Sequence, residues 1–431
     1  MRILFFTIGF TDPETITSSV RRLYPALTRV LKENALLLPS RMQRTFLAGF
    51  SRERRLPSGL GYLSAMLKRN GHTVELADRL VDPEAWPKDV NGFDFIGVHT
   101  TTPCYQDGLN VLARLKDEGF KGKIAFGGPH TALYPDTVPP VVDYLVQGEA
   151  EYIICDLVEG AYPANSLIVT PRIRDVDALP QLDYSLFFDQ QRSYELAVPF
   201  FNGGRVFNMT TSRSCPWQCT FCATKSIWGR LWTRHSPERI VSDIQFLKEN
   251  YEIDGIYFRE DLFTANKNRV YEFCKLVKKH ALDLRWAVET RASDACDTEL
   301  VAAMADAGCR GFYIGAESGS QRMLDKYVKE ASVEQTVKAI AVAKNFGIKT
   351  AVSIIVGNPE ETFSDRYASY KMIRQCKPEI LQTSVFNGAH TGLGTLSFKR
   401  YSTSERQLIR ANSANSSWSG QKDRMMLVTS G

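Results

Sequence analysis

Short apolar strand segments alternate with amphipathic helical ones along most of this chain, and that rhythm limits the fold more than any other feature. Residues 3–8, 73–76, 93–99, 123–128 and 141–146 read as strands, separated by helical stretches that begin near 57, 106 and 150. The first of those helices ends at Gly71, a residue suited to the left-handed turn that closes a helix. Alternation of this kind predicts a doubly wound, Rossmann-like parallel sheet, an α/β class. Such sheets take ligands beyond the carboxyl ends of their strands, here 100–103, 127–130 and 148–149. A polar segment over 13–55 is helical in tone and carries no clear motif. From 206 a second alternation begins, with strands at 206–211, 255–258, 285–289, 311–314, 350–356 and 381–386. Ser236-Pro237 and Ser332-Val333-Glu334-Gln335 mark helix starts by a cap with a first-turn proline and by a capping box. Six such units predict a partial (β/α)6 TIM-type barrel with its active groups at the carboxyl ends of the strands. The expected layout is a first domain over 1–160, a connector over 161–204, the barrel over 205–390, and a tail over 391–431. The tail is rich in Ser and Asn with little apolar content, and it reads as disordered or truncated.

The chemistry enters with three cysteines. Cys215-Pro216-Trp217-Gln218-Cys219-Thr220-Phe221-Cys222 lets one loop offer three thiolates to one inorganic centre. Cuboidal iron–sulfur clusters usually take four cysteines. A set of three leaves one iron open, and an open metal position can bind and activate a small molecule. A zinc site would require a fourth ligand, and the nearest downstream candidate is His235.

C-x3-C-x2-C with an aromatic before the last cysteine resembles the signature of radical S-adenosylmethionine (SAM) enzymes. The resemblance implies that Cys215, Cys219 and Cys222 hold a [4Fe-4S] cluster, whose open iron chelates the amino and carboxylate groups of SAM. One electron from the cluster then yields a 5′-deoxyadenosyl radical. It also implies SAM contacts for Phe221, for Glu260 in the acidic run after the second barrel strand, for Arg291 of Glu289-Thr290-Arg291, and for Glu317 and Ser318 of Glu317-Ser318-Gly319-Ser320. A cationic sulfonium with an amino group calls for carboxylates, and its own carboxylate calls for a donor such as Arg.

In the first domain, the run from Pro57 to Leu76, Gly127-Gly128-Pro129-His130 and Gly148-Glu149-Ala150-Glu151 resemble the cobalamin-binding domain fused to many radical SAM enzymes. That resemblance implies cobalamin contacts for Gly127, Gly128, His130, Gly148 and Glu149. The chain has no D-x-H-x-x-G, the motif whose His ligates cobalt in other cobalamin proteins. The leading expectation is cobalamin-dependent methyl transfer to a carbon of a small-molecule substrate, driven by a reductant such as flavodoxin or ferredoxin. The alternatives are cobalamin-free radical dehydration, epimerisation or rearrangement, for example of a sugar, and a non-catalytic iron–sulfur protein. After the last strand, Asn387-Gly388-Ala389-His390 departs from the turn expected of this family.

Composition removes other classes. A net charge of +5 without a basic, aromatic-interleaved block gives no case for nucleic acid. No stretch approaches the ~18 apolar residues of a membrane span. Nine scattered cysteines fit a reducing cytoplasm rather than a disulfide framework.

Overall fold

The computed structural model describes residues 1–8, 56–188, 200–201, 203–386, 407–410 and 427–428. The segment expected to be helical over 13–55 lies outside them, as does most of the tail. The chain divides into two compact units: Met1–Ser193 with Tyr401–Gly431, and Tyr194–Arg400.

In the first unit, β1 (Arg2–Thr7), β2 (Thr73–Asp78), β3 (Phe95–His99), β4 (Lys123–Gly127), β5 (Tyr144–Gln147) and β6 (Ser166–Val169) are parallel, in spatial order 2-1-3-4-5-6. Every residue of β1 after Arg2 is buried, so both faces of the sheet are covered. Leu4 and Phe6 join Val111, Leu112 and Leu115 of the helix Tyr105–Asp117 in one core, while Ile3 and Phe5 alternate to the other face. The winding direction reverses between β1 and β3, which makes the ends of these strands the expected ligand crevice. Sequence reading placed β6 inside a connector, yet it pairs with β5 along its length. Gln407–Arg410 adds a further parallel strand beyond β6, and Leu427–Val428 pairs antiparallel with it.

In the second unit, β7 (Val206–Met209), β8 (Ser212–Arg213), β9 (Thr233–Arg234), β10 (Gly255–Phe258), β11 (Arg285–Thr290), β12 (Cys309–Glu317), β13 (Lys349–Val356) and β14 (Ile380–Val385) follow in turn. Six of them form a parallel sheet in chain order, β7-β10-β11-β12-β13-β14. Sequential order with helical crossovers is the winding of a TIM-type barrel, here with six strands among the described residues. Helices Pro237–Tyr251 and Val333–Asn345 start at the Ser236 cap and the Ser332–Gln335 capping box anticipated from sequence. Phe258, Phe263, Phe273 and Trp286 pack largely edge to face, the arrangement their ring quadrupoles favour. Tyr257 turns the other way and joins Phe200, Phe201, Val206, Ala287 and Ala351. Among the described residues no helix is long and apolar enough to cross a membrane.

Candidate functional site

The short antiparallel pair β8–β9 brackets the cysteine loop, because the chain leaves at Ser212–Arg213 and returns at Thr233–Arg234. Ser214 begins the loop with φ +74°, and its Oγ donates to the Gly229 carbonyl at 3.0 Å. The Cys222 amide donates to the Cys219 carbonyl at 3.2 Å, which makes the second half of the loop a tight turn. Thr220 ties the loop to the segment after β12: its amide donates to the Tyr327 carbonyl at 2.9 Å and its hydroxyl to the Lys326 carbonyl at 3.3 Å.

All three thiols are half-buried. Burial pushes Cys215 up to about 11, and neighbouring Asp261, Cys222 and Cys219 add to the rise. Burial raises Cys222 as well. Cys215 and Cys222 are therefore reluctant to ionise without a cation. Metal binding releases such protons. Among the described residues no three His, Cys, Asp or Glu side chains converge as they would on a single metal ion.

Arg291, at the carboxyl end of β11, is 4% exposed. Its guanidinium lies over the Trp217 ring, 3.9 Å from the centroid, and Nη1 donates toward Cys219 Sγ at 3.9 Å. Nη2 donates to the carbonyls of Lys329 and Glu330. Phe221 is edge-on to Tyr327, with 5.3 Å between centroids, and the Lys329 ammonium stands 5.7 Å from the Phe221 ring. Lys329 pairs with Glu317 at 2.8 Å, and Ser353 donates to the second Glu317 oxygen at 3.2 Å. Glu317 takes φ +63°, and Gly315 lacks the Cβ that would come within 2.5 Å of the Glu317 carboxylate. The structure thus gathers Phe221, Arg291 and Glu317 around the loop. Tyr327 and Lys329 join them from a turn that sequence reading passed over. That turn holds Val328 and Glu330 at φ +51° and +50°, and such left-handed non-glycine residues leave little trace in sequence.

Two other assigned residues face elsewhere. The Glu260 side chain is wholly buried, and its Oε2 accepts from Thr211 N at 2.5 Å, Thr211 Oγ1 at 2.8 Å and Ser212 N at 2.8 Å. Burial raises its pKa, against the opposing pull of Arg269 and these donors. Glu260 therefore grips the root of the loop, and the exposed acid at this strand end is Asp261, which accepts from Thr224 Oγ1 at 2.9 Å. Ser318 is buried, with its hydroxyl 3.3 Å from that of Ser369 and accepting from Ser320 N at 3.1 Å.

The first unit keeps its candidates at the strand ends. Gly127 closes β4, its carbonyl accepts from Thr100 N at 2.7 Å, and nothing lies within 4 Å of where its Cβ would stand. Gly128 differs: it has φ +105°, and a Cβ there would meet the Thr100 carbonyl oxygen at 2.7 Å. Gly148 has φ +103° and would meet Thr170 Oγ1 at 2.4 Å. Glu149 is buried against Arg172 at 3.1 Å and Ile173 N at 2.6 Å. His130 stacks on Tyr105 with 3.7 Å between centroids. Its Nδ1 lies 3.2 Å from Thr102 Oγ1 and its Nε2 lies 2.9 Å from Thr137 Oγ1. Both ring nitrogens are engaged, so His130 organises the loops rather than offering a metal ligand. Gly127 leaves bare backbone at the crevice, the feature a flat, bulky ligand needs.

Comparison with known proteins adds the following. Residues 209–373 match the family model for the radical SAM superfamily, and residues 54–158 match the model for a B12 binding domain. An uncharacterized methyltransferase of Pyrococcus horikoshii is 30% identical over 355 residues, covering 76% of this chain and 75% of that protein. The anaerobic magnesium-protoporphyrin IX monomethyl ester cyclase of Rubrivivax gelatinosus is 25% identical over 365 residues, covering 77% of this chain and 64% of the relative. The fold resembles that of the radical SAM methyltransferase TsrM from Kitasatospora setae, with a TM-score of 0.65, 15% identity, and coverage of 96% of this chain and 79% of that one. It also resembles the cobalamin-dependent SAM radical enzyme OxsB, with a TM-score of 0.64, 16% identity, and coverage of 86% and 51%.

Proposed function

The chain belongs to the radical SAM superfamily and carries a B12 binding domain ahead of its radical SAM domain, and from that premise we propose that it is a methyltransferase acting on a small molecule with a [4Fe-4S] cluster, SAM and cobalamin. The observation that carries this reading is a loop of three half-buried thiols beside Arg291, a buried cation with no carboxylate at ion-pair distance among the described residues. A buried charge without an opposite charge is costly. A cluster bound by thiolates supplies that opposite charge. When bound, the cluster with SAM supplies radical chemistry, and the corrinoid supplies methyl-group transfer.

The chain's own residues hold and shield these groups. Cys215, Cys219 and Cys222 are the cluster ligands. Phe221, packed on Tyr327, offers an apolar wall for the nucleoside, and the Glu317–Lys329 pair offers one anionic and one cationic hydrogen-bonding group beside it. Asp261 is the carboxylate best placed at its strand end to meet an amino group, a role first expected of Glu260. In the first unit, Gly127 presents backbone without a side chain, and His130 sets the loops on either side. His130, with both ring nitrogens engaged, would not serve as a ligand to a corrinoid bound there. A low-potential reductant of the flavodoxin or ferredoxin class supplies electrons.

The test is anaerobic reconstitution with iron, sulfide and methylcobalamin, followed by desalting. The expected result is a protein that retains both the iron–sulfur and the corrinoid absorption. Iron retained without corrinoid would withdraw methyl transfer in favour of cobalamin-free radical chemistry.

A further inference from the structure

Arg291 is a buried cation set against the cysteine loop. Its side chain is buried, its Nε has no hydrogen-bond partner, and its other donors go to the neutral carbonyls of Lys329 and Glu330 and to Cys219. The other cation near the loop, Lys329, is neutralised by Glu317 at 2.8 Å. Asp294, the acid whose ionisation Arg291 favours, is engaged by Thr264 Oγ1 at 2.7 Å. The Arg291 guanidinium is fixed on three sides: Trp217 under its plane, the 329–330 carbonyls at one end, and Cys219 Sγ at the other.

We infer that Arg291 is a positioning residue that acts through Cys219, favouring the reduced state of the cluster by setting a fixed cation and an N–H donor against one of its thiolate ligands. This inference rests on the cluster proposed above and extends it to how readily that cluster accepts an electron. Reduction adds one electron from the low-potential reductant and one unit of negative charge, with no proton required. Hydrogen bonds to cluster sulfurs and nearby positive charge both raise the potential of such centres. A lysine would keep the charge but not the planar fork that spans Trp217, Cys219 and the two carbonyls.

The test is a redox titration of reconstituted full-length protein without SAM, followed by electron paramagnetic resonance, on wild type, Arg291→Lys and Arg291→Met. Omitting SAM separates tuning of the cluster from binding of the cosubstrate. Thr220 still ties the loop to Lys326 and Tyr327, so the Met variant is expected to keep its iron while its midpoint shifts to more negative potential, with the Lys variant lying between it and wild type. A Met variant loaded with iron at the wild-type midpoint overturns the inference alone. Loss of iron in both variants also overturns it, because Arg291 would then be only a brace. A wild-type protein that binds no cluster overturns the broader proposal together with this one.

Discussion

Glu260 and Arg269 face each other at the root of the cysteine loop, Oε1 to Nη1 3.9 Å apart, with the two side chains 0% and 4% exposed. Arg269 also donates to the carbonyl of His235 at 3.0 Å, and to Thr211 at its hydroxyl (2.6 Å) and carbonyl (3.2 Å). Glu260 holds the start of the loop by Thr211 and Ser212. Breaking a buried pair by removing one partner costs about 3–5 kcal/mol. Glu260→Ala and Arg269→Ala should each lower the apoprotein's unfolding midpoint strongly, and both should load less iron. A midpoint unchanged from wild type, with weakened SAM binding alone, would return Glu260 to the cosubstrate role first expected of it.

Gly127 and Gly128 should part company on mutation. Gly127→Val has open space before it and should leave thermal stability near wild type while abolishing corrinoid retention. Gly128→Val meets the Thr100 backbone and a left-handed φ, so it should destabilise the first unit itself. Corrinoid absorption after desalting and a melting curve separate the two. Full corrinoid binding by a stable Gly127→Val protein would contradict the crevice placed here.

The Lys329–Glu317 pair should behave as a coupled unit. Lys329→Met leaves a buried carboxylate without its cation and should be markedly destabilising, whereas Lys329→Met combined with Glu317→Gln should recover much of the loss. A double-mutant cycle on unfolding free energy should give a coupling of about 1–3 kcal/mol. Strict additivity would show that the two side chains do not support each other.

Acid should weaken the first unit through its histidines. Burial lowers His99 and His130 to about 4, from an unfolded value near 6.5. Between those pH values the unfolded chain binds protons that the folded chain refuses, so stability rises with pH across the window and is lost as pH falls through it. Urea midpoints measured from pH 7.5 down to 4.5 should fall, and His130→Asn should flatten the slope. A midpoint that rises on acidification would contradict this sign.

What the sequence made legible was local. Ser236-Pro237 and Ser332 with Gln335 announced helix starts because a cap is written within four residues, and the cysteine loop stood out by its spacing. β6 was not legible. It is four residues long, enters from Asn165 at φ +57°, and gains its place by pairing with β5 and with Gln407–Arg410. Strand ends located Glu260, but not the direction of its carboxylate, which is decided by Arg269 from a following helix and Thr211 from the link between β7 and β8. Lys329 had no local signal, since its role depends on a partner 12 residues upstream.

The central claim is that Cys215, Cys219 and Cys222 hold a cluster that cleaves SAM. Its most direct measurement is 5′-deoxyadenosine formed by anaerobically reconstituted protein with SAM and a strong reductant, quantified by chromatography beside each Cys→Ala variant. The account predicts steady formation by wild type and none by any of the three variants. Variants that keep their iron and cleave SAM at the wild-type rate would contradict it.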